Sequence, residues 1–205
     1  TWITVLDQGA AKMDAVIGRK TYPLEHIDGI VFCGKVPANK AYQLRGTGPD
    51  GATWDYQDAY RFGPVISDLD EYLLGEGSHN QIWNALGAHV IRMNDVQGTH
   101  FAVWAPNAQR VSVVGEFNAW DGRRHVMRRR GGTGVWEIFI PGIGDGAPYT
   151  YDIIGSQGQL LPQKADPVGF GAQHPPETAS IVRDISGYGW RDEAWLETRQ
   201  SAQCI

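Results

Sequence analysis

From about Gly98 to Asp184 the apolar residues fall at every second position. Phe101, Val103 and Ala105 share one face, as do Val111, Val113, Gly115 and Phe117. Trp136, Ile138 and Ile140 make a third such face, and Tyr149, Tyr151 and Ile153 a fourth. A period of two puts alternate side chains on opposite faces of a strand, so each run predicts a strand buried on one side. Pro and Gly separate the runs, and Gly142-x-Gly144-x-Gly146 reads as the turn between two of them. Short strands punctuated in this way predict an antiparallel β-sandwich. A late strand is expected at Ser180-Ile181-Val182-Arg183.

The earlier chain carries a looser pattern. Trp2–Leu6, Gly29–Val36, Lys40–Arg45 and Thr53–Tyr56 are strand-like, and the last two flank a turn-rich stretch ending in Asp50-Gly51. They predict an antiparallel β unit. Between about Ala59 and His89 the period changes. Ser67 precedes Asp68-Leu69-Asp70-Glu71-Tyr72-Leu73-Leu74 and Gly75 follows: an N-cap, an acidic first turn and a stop, hence a short helix. Ser78 with Gln81 forms a capping-box pattern ahead of Ile82, Trp83 and Leu86, so a second short helix is expected, ending at Gly87. From Trp190 onward, Arg191–Gln200 has helical character.

Composition narrows the functional classes. With 42% hydrophobic and 20% charged residues the chain is an ordinary globular one, and 26 Gly and 11 Pro suit many tight turns. A formal net charge of −5 makes nucleic acid and anionic membrane poor partners. The local exception, Arg123, Arg124, Arg128, Arg129 and Arg130, reads as a solvated loop and strand edge. Cys33 and Cys204 show no framework spacing, which suits a reduced, cytoplasmic protein. No apolar run is long enough to span a membrane, and Thr1-Trp2-Ile3-Thr4-Val5 lacks the layout of a signal peptide. The chain opens without Met, directly on a strand, so its original N-terminus is expected to be missing or processed.

Catalytic chemistry finds little footing. Among 23 acidic residues chance pairs of carboxylates are easy to name; Glu116 and Asp121 are one such pair, but they flank a turn, and the strand–helix alternation needed for a catalytic barrel is missing. His26, His79, His89, His100, His125 and His174 show no metal-ligand spacing, no nucleophile motif occurs, and no Gly-rich loop leads into a helix. No catalytic residue, metal or cofactor is therefore expected. Sugar binding fares better. A pyranose offers a flat C–H face and a rim of hydroxyls, which an exposed aromatic flanked by short polar groups can match. Trp120 sits in a turn with Asn118 and Asp121, and Gln163 and Lys164 could add hydroxyl-binding donors. Trp104 and Trp136 lie within strands and are expected in the core.

These residues carry a resemblance. Phe101-Ala102-Val103-Trp104-Ala105-Pro106-Asn107-Ala108 and Val111 through His125, including Gly115-Glu116-Phe117-Asn118-Ala119-Trp120-Asp121-Gly122, are similar to the carbohydrate-binding module (family 48) of glycogen branching enzymes. Gly134-Val135-Trp136-Glu137-Ile138-Phe139-Ile140-Pro141-Gly142, Lys164-Ala165-Asp166-Pro167 and Glu177-Thr178-Ala179-Ser180 fit the same pattern. Upstream, Asp58 through Pro64 and Tyr72 through His79 resemble the end of the extra N-terminal domain of longer bacterial branching enzymes. The pairing of both segments favours branching enzymes over the debranching enzymes that share the module.

Pattern and resemblance together imply an all-β chain: two immunoglobulin-like β-sandwich domains joined by a short helical linker. The expected division is about 1–60, a linker at 61–97, the module at 98–185 and a tail at 186–205 leading toward a catalytic barrel beyond Ile205. The resemblance implies a non-catalytic part that positions α-glucan and packs on the barrel of the same enzyme, inactive as a 205-residue chain. The alternative is a stand-alone glucan-binding or purely structural module. Related regulatory modules carry a second exposed Trp where this chain reads Gly155-Ser156-Gln157-Gly158-Gln159-Leu160-Leu161, so weak glucan affinity is expected. Trp190 and Trp195 are expected to form an apolar patch that drives self-association.

Overall fold

The computed structural model describes residues 1–187, 189 and 191–199. It is β throughout, apart from short helical segments. The first six strands are β1 (Trp2–Leu6), β2 (Lys12–Ile17), β3 (Lys20–Asp28), β4 (Val31–Lys35), β5 (Gln43–Thr47) and β6 (Thr53–Tyr56). They form one antiparallel sheet in the order β1-β4-β3-β2-β5-β6. The long β3 is the pivot. Its first half pairs with β2 and its second half with β4, with a register shift between His26 and Asp28. A bulge of this kind bends a strand, and the sheet encloses a core of Ile3, Val5, Met13, Ala15, Leu24, Phe32, Val36 and Leu44.

Sequence periodicity passes over β2 and β3. In β2 the alternation is broken by Asp14, which is buried beside Met13 and Ala15 and paired with Lys12 at 2.7 Å. In β3 only Leu24 is buried, and Pro23 reads as a break.

The linker begins with a 3₁₀ turn at Ala59–Arg61, followed by α1 (Asp68–Glu76). Ser67 caps α1 as expected, its hydroxyl accepting from Asp70 N–H while Asp70 reaches back to Ser67. The helix runs past Gly75 and stops at Gly77, which supplies the left-handed φ of 70° a helix C-terminus favours. The expected capping box at Ser78 and Gln81 does not form. Gln81 N–H donates to His79 Nδ1, its side chain accepts from Asn84, and the segment Ile82–Asn84 is a single 3₁₀ turn.

The second half is a sandwich. Its strands are β7 (Gly87–Met93), β8 (Val96–Trp104), β9 (Arg110–Gly115), β10 (Arg128–Arg130), β11 (Val135–Pro141), β12 (Pro148–Ile154) and β13 (Ser180–Ile181). The sheet β10-β11-β8-β7 faces the sheet β13-β12-β9. Residues 87–97, read from sequence as linker, carry β7 and the start of β8. The four alternating faces do meet: Phe101, Val103, Val111, Val113, Trp136, Ile138, Ile140, Tyr149 and Tyr151 form one core, with Phe117 and Ile153 packed against it.

Trp104 departs from expectation. It follows Val103 by one position, so it points away from the core; it is 58% exposed, with its indole N–H donating to Thr133 O at 3.0 Å. In the tail, α2 (Glu193–Arg199) exposes Trp195. Trp190 and Cys204, named above, lie outside the described residues.

Candidate functional site

The turn leaving β9 is the most constrained segment of the sandwich. Ala119, Trp120 and His125 all adopt positive φ, at 56°, 58° and 48°. Such conformations cost non-glycine residues free energy and persist only where the surroundings hold them. Asn118 does the holding. It is 2% exposed; its Oδ1 accepts from Gly115 N–H at 3.0 Å, and its Nδ2 donates to Val113 O at 2.9 Å and to His125 Nδ1 at 3.0 Å. Asn118, expected on the sugar-facing surface, is thus buried with its amide committed to the turn, and is not available to a ligand.

The rest of the turn lies on the outer face of the β9–β12 sheet. Ser112 Oγ donates to Gly122 O at 2.7 Å, and a Cβ at Gly122 would come within 2.5 Å of the Asp152 carboxylate. A side chain there would have to displace that carboxylate. Ser112, Val114, Thr150 and Asp152, which alternation puts on this outer face, are all buried. Asp121 clamps the tip by accepting from Arg123 Nε and Nη2 at 2.9 and 2.8 Å, which holds its carboxyl well below the usual range. Trp120 emerges from this support 36% exposed.

Gln163 and Lys164 run along the far side of β12. Gln163 is exposed, and its side chain accepts from Thr150 Oγ1 at 3.2 Å, which places it on the outer face that the Trp120 turn covers. Lys164 pairs with Tyr151 through both backbone hydrogen bonds. Directly paired residues share a face, so the exposed Lys164 leaves the strip on the core side of the sheet, opposite to Gln163. Of the four expected residues, Gln163 and the turn that holds Trp120 lie against the same outer face.

The other side of the same turn looks into a cleft against the N-terminal sheet. Leu6, Asp7, Trp54, Tyr56, Arg124 and His125 are among the residues around it, and its volume is about 470 Å3. Sequence reading missed it, because its two walls are about seventy residues apart in the chain. Burial pushes the His125 imidazole down to about 4, and the nearby Arg124 guanidinium adds to this, with Asp58 opposing. With Nδ1 accepting from Asn118, neutral His125 carries its proton on Nε2 and presents a donor.

This depressed value has a stability consequence. Between pH 6.5 and about 4 the unfolded chain takes up a proton at His125 that the folded chain resists, so stability falls as pH falls through that window. Urea midpoints measured at pH 7 and pH 4.5 should draw apart in the wild type and converge in His125→Asn, since asparagine tolerates the left-handed backbone but does not titrate. An unchanged difference in the variant would rule out His125 as the source.

Among the described residues no group of three His, Cys, Asp or Glu could hold a metal, and no helix is long and apolar enough to cross a membrane. Residues 85–169 match the family model for carbohydrate-binding module 48 (isoamylase N-terminal domain). The chain is 67% identical over 166 residues to the 1,4-alpha-glucan branching enzyme of Roseobacter denitrificans, a match that covers 80% of this chain and 22% of that protein. It is 48% identical over 206 residues to the corresponding enzyme of Cereibacter sphaeroides, covering 98% of this chain and 27% of the relative. A pullulanase structure from Anoxybacillus sp. aligns at 22% identity and a TM-score of 0.42, covering 93% of this chain and 27% of that one. The chain spans about a quarter of the length of the curated relatives it matches.

Proposed function

Since the chain is homologous to the N-terminal region of 1,4-alpha-glucan branching enzymes and carries their carbohydrate-binding module 48, we propose that it holds α-glucan for a branching reaction carried out elsewhere in the full protein. In that reaction an α-1,4 link is cleaved and the released oligoglucan is transferred to a C6 hydroxyl. The observation that carries the reading is the turn itself. Three left-handed residues and a buried asparagine are spent on presenting one tryptophan at the surface. An indole plane on the sheet face that also carries the amide of Gln163 suits the C–H face and hydroxyl rim of a pyranose. Within the full protein, we place the binding surface on the outer face of the β9–β12 sheet, centred on Trp120 with Gln163 on the same face. Lys164 and Asn118 are left out, the first by its direction and the second by its burial.

Co-sedimentation with glycogen tests this. Trp120→Ala should weaken retention roughly fivefold to tenfold, the scale of one lost stacking contact. Wild-type affinity should itself be weak, since Gly155–Leu161 offers no second aromatic plane. Equal retention of wild type and variant would instead favour a scaffold that packs on its neighbour and never touches sugar. The exposed Trp195 and Leu196 of α2 would suit such a role.

A further inference from the structure

We propose that the cleft between the N-terminal sheet and the β9 turn is a second α-glucan site, built on Trp54 and separate from the surface around Trp120. Trp54 faces Gly46 across the β5–β6 pair. Any Cβ at Gly46 would enter the indole, and the Cβ positions of Gly48 and Gly9 come within 3.5 and 3.7 Å of the same ring. Three glycines thus let the ring lie flat on backbone. Covering glycines would account for one face of the indole. The half-buried Trp54 also lines the cleft, so a ring backed by glycine backbone borders the open volume.

The rest of the cleft supplies what a sugar needs around such a plane. Tyr56 and Leu6 extend the apolar wall. Arg124 is exposed and reaches the cleft from the opposite side, beside the Nε2–H donor of His125. Asp7 supplies acceptor capacity: its Oδ1 takes the N–H groups of Gly9 and Ala10, leaving Oδ2 with only a long contact of 3.5 Å to Tyr56. Donors and acceptors of both charges surround the plane, with Asp7 and Asp58 balancing Arg124 and Arg123 already bound to Asp121. That balance suits a neutral polyol better than an anion. The volume, about 470 Å3, falls within the roughly 300–1,000 Å3 of small-molecule sites.

The choice of α-glucan as the occupant rests on the function proposed above, so the test separates the two. Maltoheptaose is titrated into the isotope-labelled full chain while the indole N–H signals of Trp54 and Trp120 are followed by NMR. Both are expected to move, and the Trp54 response should survive in Trp120→Ala. Arg124→Ala, at an exposed position, should weaken the Trp54 response roughly fivefold with an unchanged circular dichroism spectrum. Movement of Trp120 alone overturns the cleft site and leaves the first reading standing. Movement of Trp54 alone upholds the cleft and sinks the Trp120 surface, and silence at both sinks both. A Trp54 response to inorganic phosphate that exceeds the response to maltoheptaose would overturn the sugar assignment.

Discussion

Glu137→Ala is expected to destabilise the fold by about 3–5 kcal/mol, the cost of breaking a buried charge cluster from one side. Glu137 is 1% exposed at the centre of β11. Its Oε2 accepts from Val65 N–H at 2.9 Å, Ile66 N–H at 3.0 Å and His100 Nε2 at 2.9 Å. Arg130 Nε stands 3.2 Å from Oε1, at ion-pair distance but outside hydrogen-bond alignment, and Arg130 Nη2 continues to Glu71 of α1 at 2.9 Å. Burial would push the Glu137 carboxyl up, but the hydrogen bonds from His100, Ile66 and Val65 outweigh it and hold the group below its ordinary value. One carboxylate therefore ties the linker, α1 and β8 to β11. Alanine would strand two backbone donors and an imidazole in the interior and leave Arg130 only its contacts to Glu71 and Ile66. Glu137→Gln keeps the volume and one acceptor, so its loss should be smaller, about 2 kcal/mol. Urea unfolding at neutral pH measures both. An alanine variant within about 1 kcal/mol of wild type would show that the cluster carries little of the fold.

The Glu137 joint shows why some of the molecule was readable from sequence and some was not. The strands of the sandwich were legible because alternate residues of each pack into one core, and a period of two survives in sequence. Trp104 was misplaced by the same reasoning applied one step too coarsely: lying in a strand does not bury a side chain, and its neighbour Val103 takes the inward position. Glu137 reads as the polar member of an alternating strand, and nothing local announces that four groups from distant segments converge on it. Asn118 fails in the same way. A short amide in a turn suggests a solvent-facing donor, whereas its three partners become visible only once β9 and the turn have closed. The outer-face position of Trp120 was half legible. The turn could be read from Asn118-Ala119-Trp120-Asp121-Gly122, but the left-handed backbone at Ala119 and Trp120 could not, because neither residue favours it. The cleft was illegible for a simpler reason. Trp54 lies on β6 and His125 in the turn after β9, and a site made by the approach of two walls has no signature in either.

Asp166→Ala should lower stability by about 3–4 kcal/mol and loosen the strip that carries Gln163. Asp166 is 9% exposed, and its Oδ2 accepts from the hydroxyls of Tyr149 at 2.7 Å and Tyr151 at 2.9 Å. Its Oδ1 accepts from Val168 N–H at 2.8 Å, and its own N–H donates to Ser180 Oγ at 2.8 Å. Lys164-Ala165-Asp166-Pro167 thus anchors the long connection between β12 and β13 to two core tyrosines. Alanine would leave two phenols and one backbone N–H unpaired where water has little access. Asp166→Asn should cost far less, about 1 kcal/mol, because the phenols can turn to accept from the amide and a buried charge is removed. The pH dependence distinguishes the charge from the hydrogen bonds. Burial raises the Asp166 carboxyl above its ordinary value, so the folded chain binds this proton more readily than the unfolded one. The contribution of Asp166 to stability then improves as pH falls through the folded pKa toward the unfolded one. Asparagine abolishes that gain, so its deficit relative to wild type should grow between pH 7 and pH 4.5, while the alanine variant is the weaker of the two at pH 7. Asparagine as damaging as alanine at pH 7 would mean that the negative charge, and not the set of hydrogen bonds, holds the connection in place. Because Gln163 enters the strip next to Lys164, whose backbone pairs with Tyr151, the alanine variant should also retain less glycogen than Asp166→Asn at a temperature where both remain folded.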